Sequence, residues 1–283
     1  MEIAPTLPPA AAATRSSPRA PQGPEARAAH EQPGYAVRLA CGAHEVAAAQ
    51  RLRFEVFNLE LGEGLLQSYG TRRDADDLDA VCDHLLVFET AGGQVVGTYR
   101  LQTGAMARAG LGYYSEREFD LSPLEPHRAQ IVELGRACVH AGHRSYAVLS
   151  LLWRGIAAYA AQRGARYLMG CSSLTSLDER VGAAAWRRLQ VHAAPPALMT
   201  VPRPAHACSL AAEAAPPKIP RLLTAYLALG AKVCAPPAID RDFGTIDFLT
   251  WLDLEASGVA EERRRARFVQ EPRTAEDAAG PPA

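Results

Sequence analysis

Gln130-Ile-Val-Glu-Leu-Gly-Arg-Ala-Cys-Val139 alternates as a strand does. Ser145 to Arg163 is then a long apolar helix closed by Gly164, and Tyr167-Leu-Met-Gly-Cys171 is a second short apolar run. Alternation, a helical stretch with a C-capping glycine, and a buried strand make a crossover unit whose two strands lie parallel or splayed in one sheet. Upstream, His84-Leu-Leu-Val-Phe-Glu89 and Gln94-Val-Val-Gly-Thr-Tyr-Arg-Leu101 flank Ala91-Gly92-Gly93 and predict a hairpin. Tyr35-Ala-Val-Arg-Leu-Ala40 reads as a strand, and Val46, Leu52, Val56 and Leu59 recur at helical steps between His44 and Leu61. Downstream, helices are expected at about 176–189 and 221–229 and a strand at 244–252. The outline is a mixed sheet flanked by helices.

The chain has 283 residues, 48% of them hydrophobic, enough for a sizeable core, with a formal charge of -1. That balance argues against a nucleic-acid partner, because such domains carry a basic excess. Residues 1–33 are rich in Ala and Pro and predict a disordered segment ahead of a domain at 34–256, with a charged tail at 257–283. Six scattered cysteines without a C-x-x-C pair or a secretory signal read as reduced thiols in a cytoplasmic protein. No run of eighteen apolar residues is present. The basic residues are nearly all arginine, the lysines being Lys218 and Lys232.

Glu133 and Arg136 are the charged pair in the central apolar strand. Three residues apart, they face opposite sides unless a bulge at Gly135 re-aims one of them. A carboxylate there suits removal of a proton from an attacking amine, and a guanidinium suits a carboxylate or phosphate; the competing reading is an internal ion pair. The run Asp74, Asp76, Asp77, Asp79 and Asp83 lacks calcium-loop spacing and reads either as a solvated loop or as a binder of a cationic substrate. Cys82 and His84 share one face of an extended segment, with Asp83 on the other, but nothing supplies the environment that activates a thiol. Cys138-x-His140-x-x-His143 offers too few ligands in a defined pattern, and no metal is expected. Arg144-Ser-Tyr-Ala-Val-Leu149 opens the long helix, where free N–H groups and the helix dipole suit a phosphate.

Several blocks in series carry a family resemblance. They are Arg51-Leu-Arg-Phe-Glu-Val-Phe57, Cys82-Asp-His-Leu-Leu-Val87, Val95-Val-Gly-Thr-Tyr-Arg-Leu101, Gly112-Tyr-Tyr-Ser115 with Glu118-Phe-Asp-Leu121, Glu133-Leu-Gly-Arg-Ala-Cys-Val-His140, Leu151-Leu-Trp153 with Gly155-Ile156, and Asp242-Phe-Gly-Thr-Ile-Asp-Phe248. In order and spacing, from about residue 35 to 255, the chain resembles the ornithine-lipid N-acyltransferases. These are GNAT-like enzymes related to the acyl-homoserine-lactone autoinducer synthases. The resemblance implies an α/β (α+β) fold of the GNAT type, with a mixed, mostly antiparallel twisted sheet. It also implies transfer of a fatty acyl group, typically 3-hydroxyacyl, from acyl carrier protein to the α-amino group of ornithine, giving a lyso-ornithine lipid.

Carried onto this sequence, the resemblance makes Glu133 the catalytic base or amine orienter, with Asp83 and His84 at the cleft mouth. Arg100, Arg136, Asp79, Thr98 and Tyr99 become substrate-binding candidates, and Arg144, Ala147 and Val148 the residues facing the donor's phosphopantetheine. Ala147 and Leu149 stand where acetyl-CoA enzymes carry glycines, and their side chains crowd a backbone meant to approach phosphate. This favours acyl carrier protein as co-substrate, with no further cofactor. Such carriers are acidic, which makes Arg144, Arg154, Arg163 and Arg166 docking charges. An amphiphilic product implies transient contact with the inner membrane surface, helped by the arginines at 263–267. The alternatives are another amino acid as acceptor, an autoinducer-type synthase using S-adenosylmethionine, and a non-catalytic binding module.

Overall fold

The computed structural model describes residues 30–211, 215 and 217–257. The Ala/Pro-rich start and the charged tail therefore lie outside the described residues, apart from residues 30–33 and 257. Residues 30–33 correct the expected boundary, because His30–Gln32 forms a strand, β1, that turns at Gly34 and pairs antiparallel with β2 (Tyr35–Leu39).

The remaining strands are β3 (Asp83–Glu89), β4 (Val95–Thr103), β5 (Ile131–Val139), β6 (Tyr167–Leu174), β7 (Lys232–Val233), β8 (Ala238–Asp240) and β9 (Thr245–Asp253). They form one sheet in the order β1-β2-β3-β4-β5-β6-β9-β7, with β8 also paired to β9. Every pairing is antiparallel except β5 with β6, the two strands of the crossover unit. Among the described residues, six α-helices accompany the sheet: α1 (Ala43–Arg53), α2 (Ser68–Thr71), α3 (Gly104–Ala109), α4 (Tyr146–Gln162), α5 (Glu179–Leu189) and α6 (Arg221–Ala228). Among the described residues, β1, β7, β8 and the short helices α2 and α3 are elements the sequence pattern did not announce. Each is too short for periodicity to register.

Helix α4 starts where Ser145 accepts a hydrogen bond from the Val148 N–H, and it ends at Gly164 with φ 64°, the left-handed closure the sequence predicted. Its apolar side, with Leu151, Leu152, Ile156 and Tyr159, packs on Val37, Leu85, Val87, Tyr99 and Leu101 of the sheet. Helix α1 covers the other face, placing Ala49 and Leu52 against Leu86, Val95 and Cys138. It continues over Phe54–Leu61 with the wider i→i+5 bonding of a π-helix, which adds Val56 and Phe57 to the same cluster. Burial of apolar side chains on both faces is the main force holding these layers.

Strands β5 and β6 pair only at Ile131–Tyr167, Val132–Leu168 and Glu133–Met169. Beyond that point they diverge. Gly170 sits at the parting: a Cβ there would lie 2.2 Å from the Leu134 carbonyl oxygen, so only glycine allows the strands to touch before they splay. The splay opens a cavity between the two strands.

Candidate active site

A cavity of about 310 Å³ fills the gap between β5 and β6. Glu133, Leu134, Gly135, Arg136 and Ala137 line it from β5, and Leu168 to Ser173 from β6. One end is apolar, walled by Trp153, Leu223, Tyr226 and Leu252, and the other is polar, with Glu63, Arg100, Tyr114 and Asp247.

Glu133 and Arg136 meet in this cavity because β5 carries a bulge. Thr98 pairs with Cys138 and Arg100 with Gly135, so Tyr99 alone faces both Arg136 and Ala137. The residue that takes the left-handed backbone is Arg136, with φ 49°, and not its glycine neighbour. A non-glycine residue in this region is strained, and the surroundings hold it there. Arg136 lies over the rings of Phe243 and Tyr114 at 4.4 and 5.0 Å, and its Nε and Nη2 pair with Asp74 and Asp76 at 3.2 and 3.1 Å.

The acidic loop is mostly not solvated, contrary to one of the two sequence readings. Asp74, Asp76 and Asp79 are turned inward and neutralise three buried arginines. Arg53 pairs with Asp74 and Asp79 at 2.8 and 2.6 Å, and Arg100 with Asp76 and Asp79 at 2.5 and 3.0 Å. Gln50 adds a bond to Asp79 at 2.9 Å. Burial alone would raise the Asp79 carboxyl, but the hydrogen bond and charge of Arg53, with Arg100, hold it well below the usual carboxylate range. Asp79, expected to bind substrate, thus holds the arginines in place and does not line the cavity. Arg100 does line it, and its pKa stays above the ordinary value because these aspartates outweigh the effect of burial.

Glu133 is buried, and its two oxygens accept the backbone N–H groups of Ser115 and Tyr114, each at 2.8 Å. It therefore pins the segment that covers the cavity's polar end. A carboxylate has further lone pairs and can still accept from an amine. Burial pushes its pKa up, against the pull of the Ser115 and Tyr114 donors.

The other expected residues are dispersed. Tyr99 lines the cavity and its hydroxyl shares a 2.6 Å hydrogen bond with Tyr226, whereas Thr98 is buried on the opposite face of β4. His84 stands opposite Arg100 in register. Its Nε2 donates to the Asp79 carbonyl at 3.1 Å, since a carbonyl can only accept, which leaves Nδ1 without a partner. Burial lowers its pKa, so the imidazole is neutral and braces the aspartate turn away from the cavity. Asp83 accepts from Tyr159 and Arg163 at 2.7 and 3.2 Å and is likewise outside the cavity. Cys82 lines the cavity, but burial pushes its thiol up to about 12, which leaves no thiolate for nucleophilic chemistry.

At the start of α4, the Val148 side chain is in the core and its N–H is taken by Ser145, which removes it as a phosphate donor. Arg144 forks onto Glu60 at 2.5 and 2.7 Å on the surface. Arg163 and Arg166 are paired with Asp83 and Asp253.

Glu63, Tyr114 and Asp247 at the polar end, and Glu118 beside it, are site residues that the sequence pattern alone does not single out. Tyr114 donates to Asp240 and covers the cavity, while Glu63 accepts from Thr175 at 2.7 Å. Asp247 carried a legible signal, a lone charge inside the apolar run Ile246 to Leu252.

A family model for the acetyltransferase (GNAT) domain matches residues 52–154. The L-ornithine N(alpha)-acyltransferase of Rhodobacter capsulatus is 34% identical over 83% of this chain and 96% of its own length. The chain belongs to the L-ornithine N(alpha)-acyltransferase family. The Brucella abortus member is 35% identical over 77% of this chain and 84% of its own. Among solved structures, FeeM, an N-acyl amino acid synthase from uncultured soil microbes, is 14% identical with a TM-score of 0.49, covering 83% of this chain and 97% of FeeM. TofI, solved with an inhibitor and MTA, is 18% identical with a TM-score of 0.48, covering 80% and 95%. Like the rest of its family this chain is an N-acyltransferase, and it has the GNAT-like sheet that the sequence predicted.

Proposed function

We propose that this acyltransferase moves a fatty acyl group, typically 3-hydroxyacyl, from acyl carrier protein to the α-amino group of ornithine, giving a lyso-ornithine lipid. The observation that carries this reading is the bulge at Arg136, which turns Glu133 and Arg136 into one cavity at the point where β5 and β6 part. A carboxylate and a guanidinium side by side suit an amino acid, whose carboxylate Arg136 holds while its amine approaches Glu133.

Past Glu133, β5 has no strand on its β6 side, so an extended amide chain such as phosphopantetheine can pair with that edge. The apolar end of the cavity then receives the acyl chain. The amine lone pair attacks the thioester carbonyl, a proton leaves the nitrogen toward Glu133 or a water it orients, and the C–S bond breaks to release the pantetheine thiol. The tetrahedral oxyanion is held by backbone N–H groups along the splayed, bulged strand.

Acyl carrier protein as donor is supported by Ala147 and Leu149 at the start of α4 and by the capped Val148 N–H, which together leave little of a nucleotide-phosphate cradle. Arg144, just ahead of α4, and Arg154, about two turns into it, serve as docking charges. None of the helices among the described residues is long and apolar enough to cross a membrane. We propose that the amphiphilic product is handed to the inner membrane by transient contact from a cytoplasmic enzyme.

The test is mass spectrometry of products after incubating the full chain with 3-hydroxyacyl carrier protein and a panel of amino acids, with acyl-CoA as a parallel donor. N-acylornithine formed from the carrier donor supports the reading. Acylation of another amino acid, or from coenzyme A alone, changes the acceptor or the donor. No product from either donor removes the reading.

A further inference from the structure

Beside the cavity's polar end lies a second group of acids that the transfer step does not use. One oxygen of Glu118, one oxygen of Asp247 and the Cys171 sulfur lie within 4.8 Å of one another. Glu118 and Asp247 are each 2% exposed, and Glu118 Oε1 and Asp247 Oδ1 have no hydrogen-bond partner among the described residues. Asp247 and Cys171 face the cavity, and so does Glu63, close enough to feel the charge of Asp247.

The nearby arginines make their ion pairs with other acids. Arg53, Arg100 and Arg136 are matched one for one by Asp74, Asp76 and Asp79. Among the described residues, Glu63, Glu118 and Asp247 have no ion-pair partner of their own. Buried carboxylates with open lone pairs and no cation are costly. Burial pushes all three upward, and at Glu118 the charges of Asp247 and Asp240 and a hydrogen bond that its protonated carboxyl donates to Asp247 add to the rise.

We infer that Asp247 and Glu118, with Glu63 at the mouth, are the receptor for a second cationic group of the acceptor amino acid, the side-chain ammonium of a diamino acid. This rests on the proposed acylation of ornithine, and it adds the residues that would distinguish ornithine from amino acids with neutral side chains. An ammonium offers three N–H donors, matching the open oxygens of Asp247 and Glu118 and the carboxylate of Glu63. Arg136, which acts electrostatically on both Glu63 and Glu118, would take the carboxylate end of the same molecule. The amino acid would thus lie between an arginine and an acid pair, with its α-amine at Glu133. Cys171 keeps its proton among these acids, because burial and the charge of Glu118 raise its thiol well above the ordinary value. It therefore fills space and does not act as a charged ligand.

The experiment compares L-ornithine with L-norvaline, which has the same carbon chain but lacks the side-chain amine. Competition between the two for acylation is read by mass spectrometry, and their binding to the full chain without donor is read by calorimetry. Wild type is expected to favour ornithine by about 100-fold in kcat/KM, the scale of losing hydrogen bonds to a buried charge. In Asp247→Asn and in Glu118→Gln the ratio of ornithine to norvaline should fall toward unity, with thermal unfolding confirming that each variant is folded.

Equal use and equal binding of the two amino acids by wild type, or a preference that survives in both variants, overturns the inference while leaving acyl transfer intact. If no amino acid is acylated from any donor, the proposed function fails, and the calorimetric ratio still decides this site. An ornithine preference abolished by EDTA and restored by Zn²⁺ or Mn²⁺ would make the cluster a metal site and overturn the ammonium assignment.

Discussion

Glu133 and Arg136 are three residues apart on one strand and line the same cavity, because Arg136 is one of the two residues that face Tyr99 across a bulge. In a regular strand they would point to opposite faces. The bulge therefore decides whether the central strand supplies a site or an ion pair. The two side chains are not paired with each other: Glu133 holds backbone N–H groups and Arg136 holds aspartates.

Glu133→Gln is expected to lower kcat by about 10²- to 10⁴-fold, the range of a general base. An amide keeps one acceptor oxygen but turns an NH₂ toward either the Tyr114 or the Ser115 N–H, so the covering segment shifts as well. The pH profile separates the two effects. With its carboxyl raised by burial, wild type should lose activity as pH falls through that raised value, since the carboxylate is the active form. A variant whose residual activity keeps the same acid limb would show that Glu133 only positions the loop.

Gly170→Ala tests the splay. The added Cβ would meet the Leu134 carbonyl oxygen at 2.2 Å, and backbone on both sides leaves no flexible side chain to give way. The strands must separate earlier, and the three pairs up to Glu133–Met169 weaken. Acyl transfer should fall by more than tenfold, together with a lower unfolding temperature, and a fully active, equally stable variant would show that the contact is not needed.

Much of this architecture was legible in the sequence because it rests on long periodic segments: the crossover unit, the β3–β4 hairpin, and helices α1 and α4. Glu133 and Arg136 were legible as charges in an apolar run. Asp247 shows the same signal on β9 but lay in a segment read only as a strand. The acidic loop could not be resolved by pattern, because whether Asp79 meets a substrate or Arg53 depends on where a residue 26 positions earlier is folded. Glu63 and Glu118 sit in irregular segments, where no periodicity says which way a side chain points.

Asp79→Asn tests the buried network. Removing this carboxylate leaves Arg53 and Arg100 partly uncompensated, which for a buried pair costs about 3–5 kcal/mol. At about 2–4 °C per kcal/mol for a chain of this size, the unfolding temperature at neutral pH should drop by roughly 6–20 °C. The pH dependence has a definite sign. A carboxyl held below its ordinary value contributes stability that is present above that value and is lost as pH falls through the lowered one. Wild type should keep this contribution well below pH 4, and a variant as stable as wild type at pH 7 would show that the network is not stabilising.

Asp247→Asn should act in the opposite direction. Burial raises the Asp247 carboxyl from an ordinary 3.8 to about 6, with the charge of Asp240 adding to the rise against the hydroxyl of Ser173. For a raised acid, the stabilising effect is fully present below the ordinary value and is lost as pH rises through the raised one. Near pH 8 wild type therefore carries a buried, unmatched charge that asparagine does not. The variant should unfold at a higher temperature at about pH 8, with the difference shrinking toward zero as pH falls below about 4. Thermal scans across this range check the sign, and a variant less stable than wild type at about pH 8 would refute it. Saturating ornithine should narrow the gap near pH 8 by stabilising wild type more than the variant, because a ligand that binds only the folded state raises its stability in proportion to ln(1 + [L]/Kd). The charge that destabilises the empty enzyme would then be the one that holds its substrate.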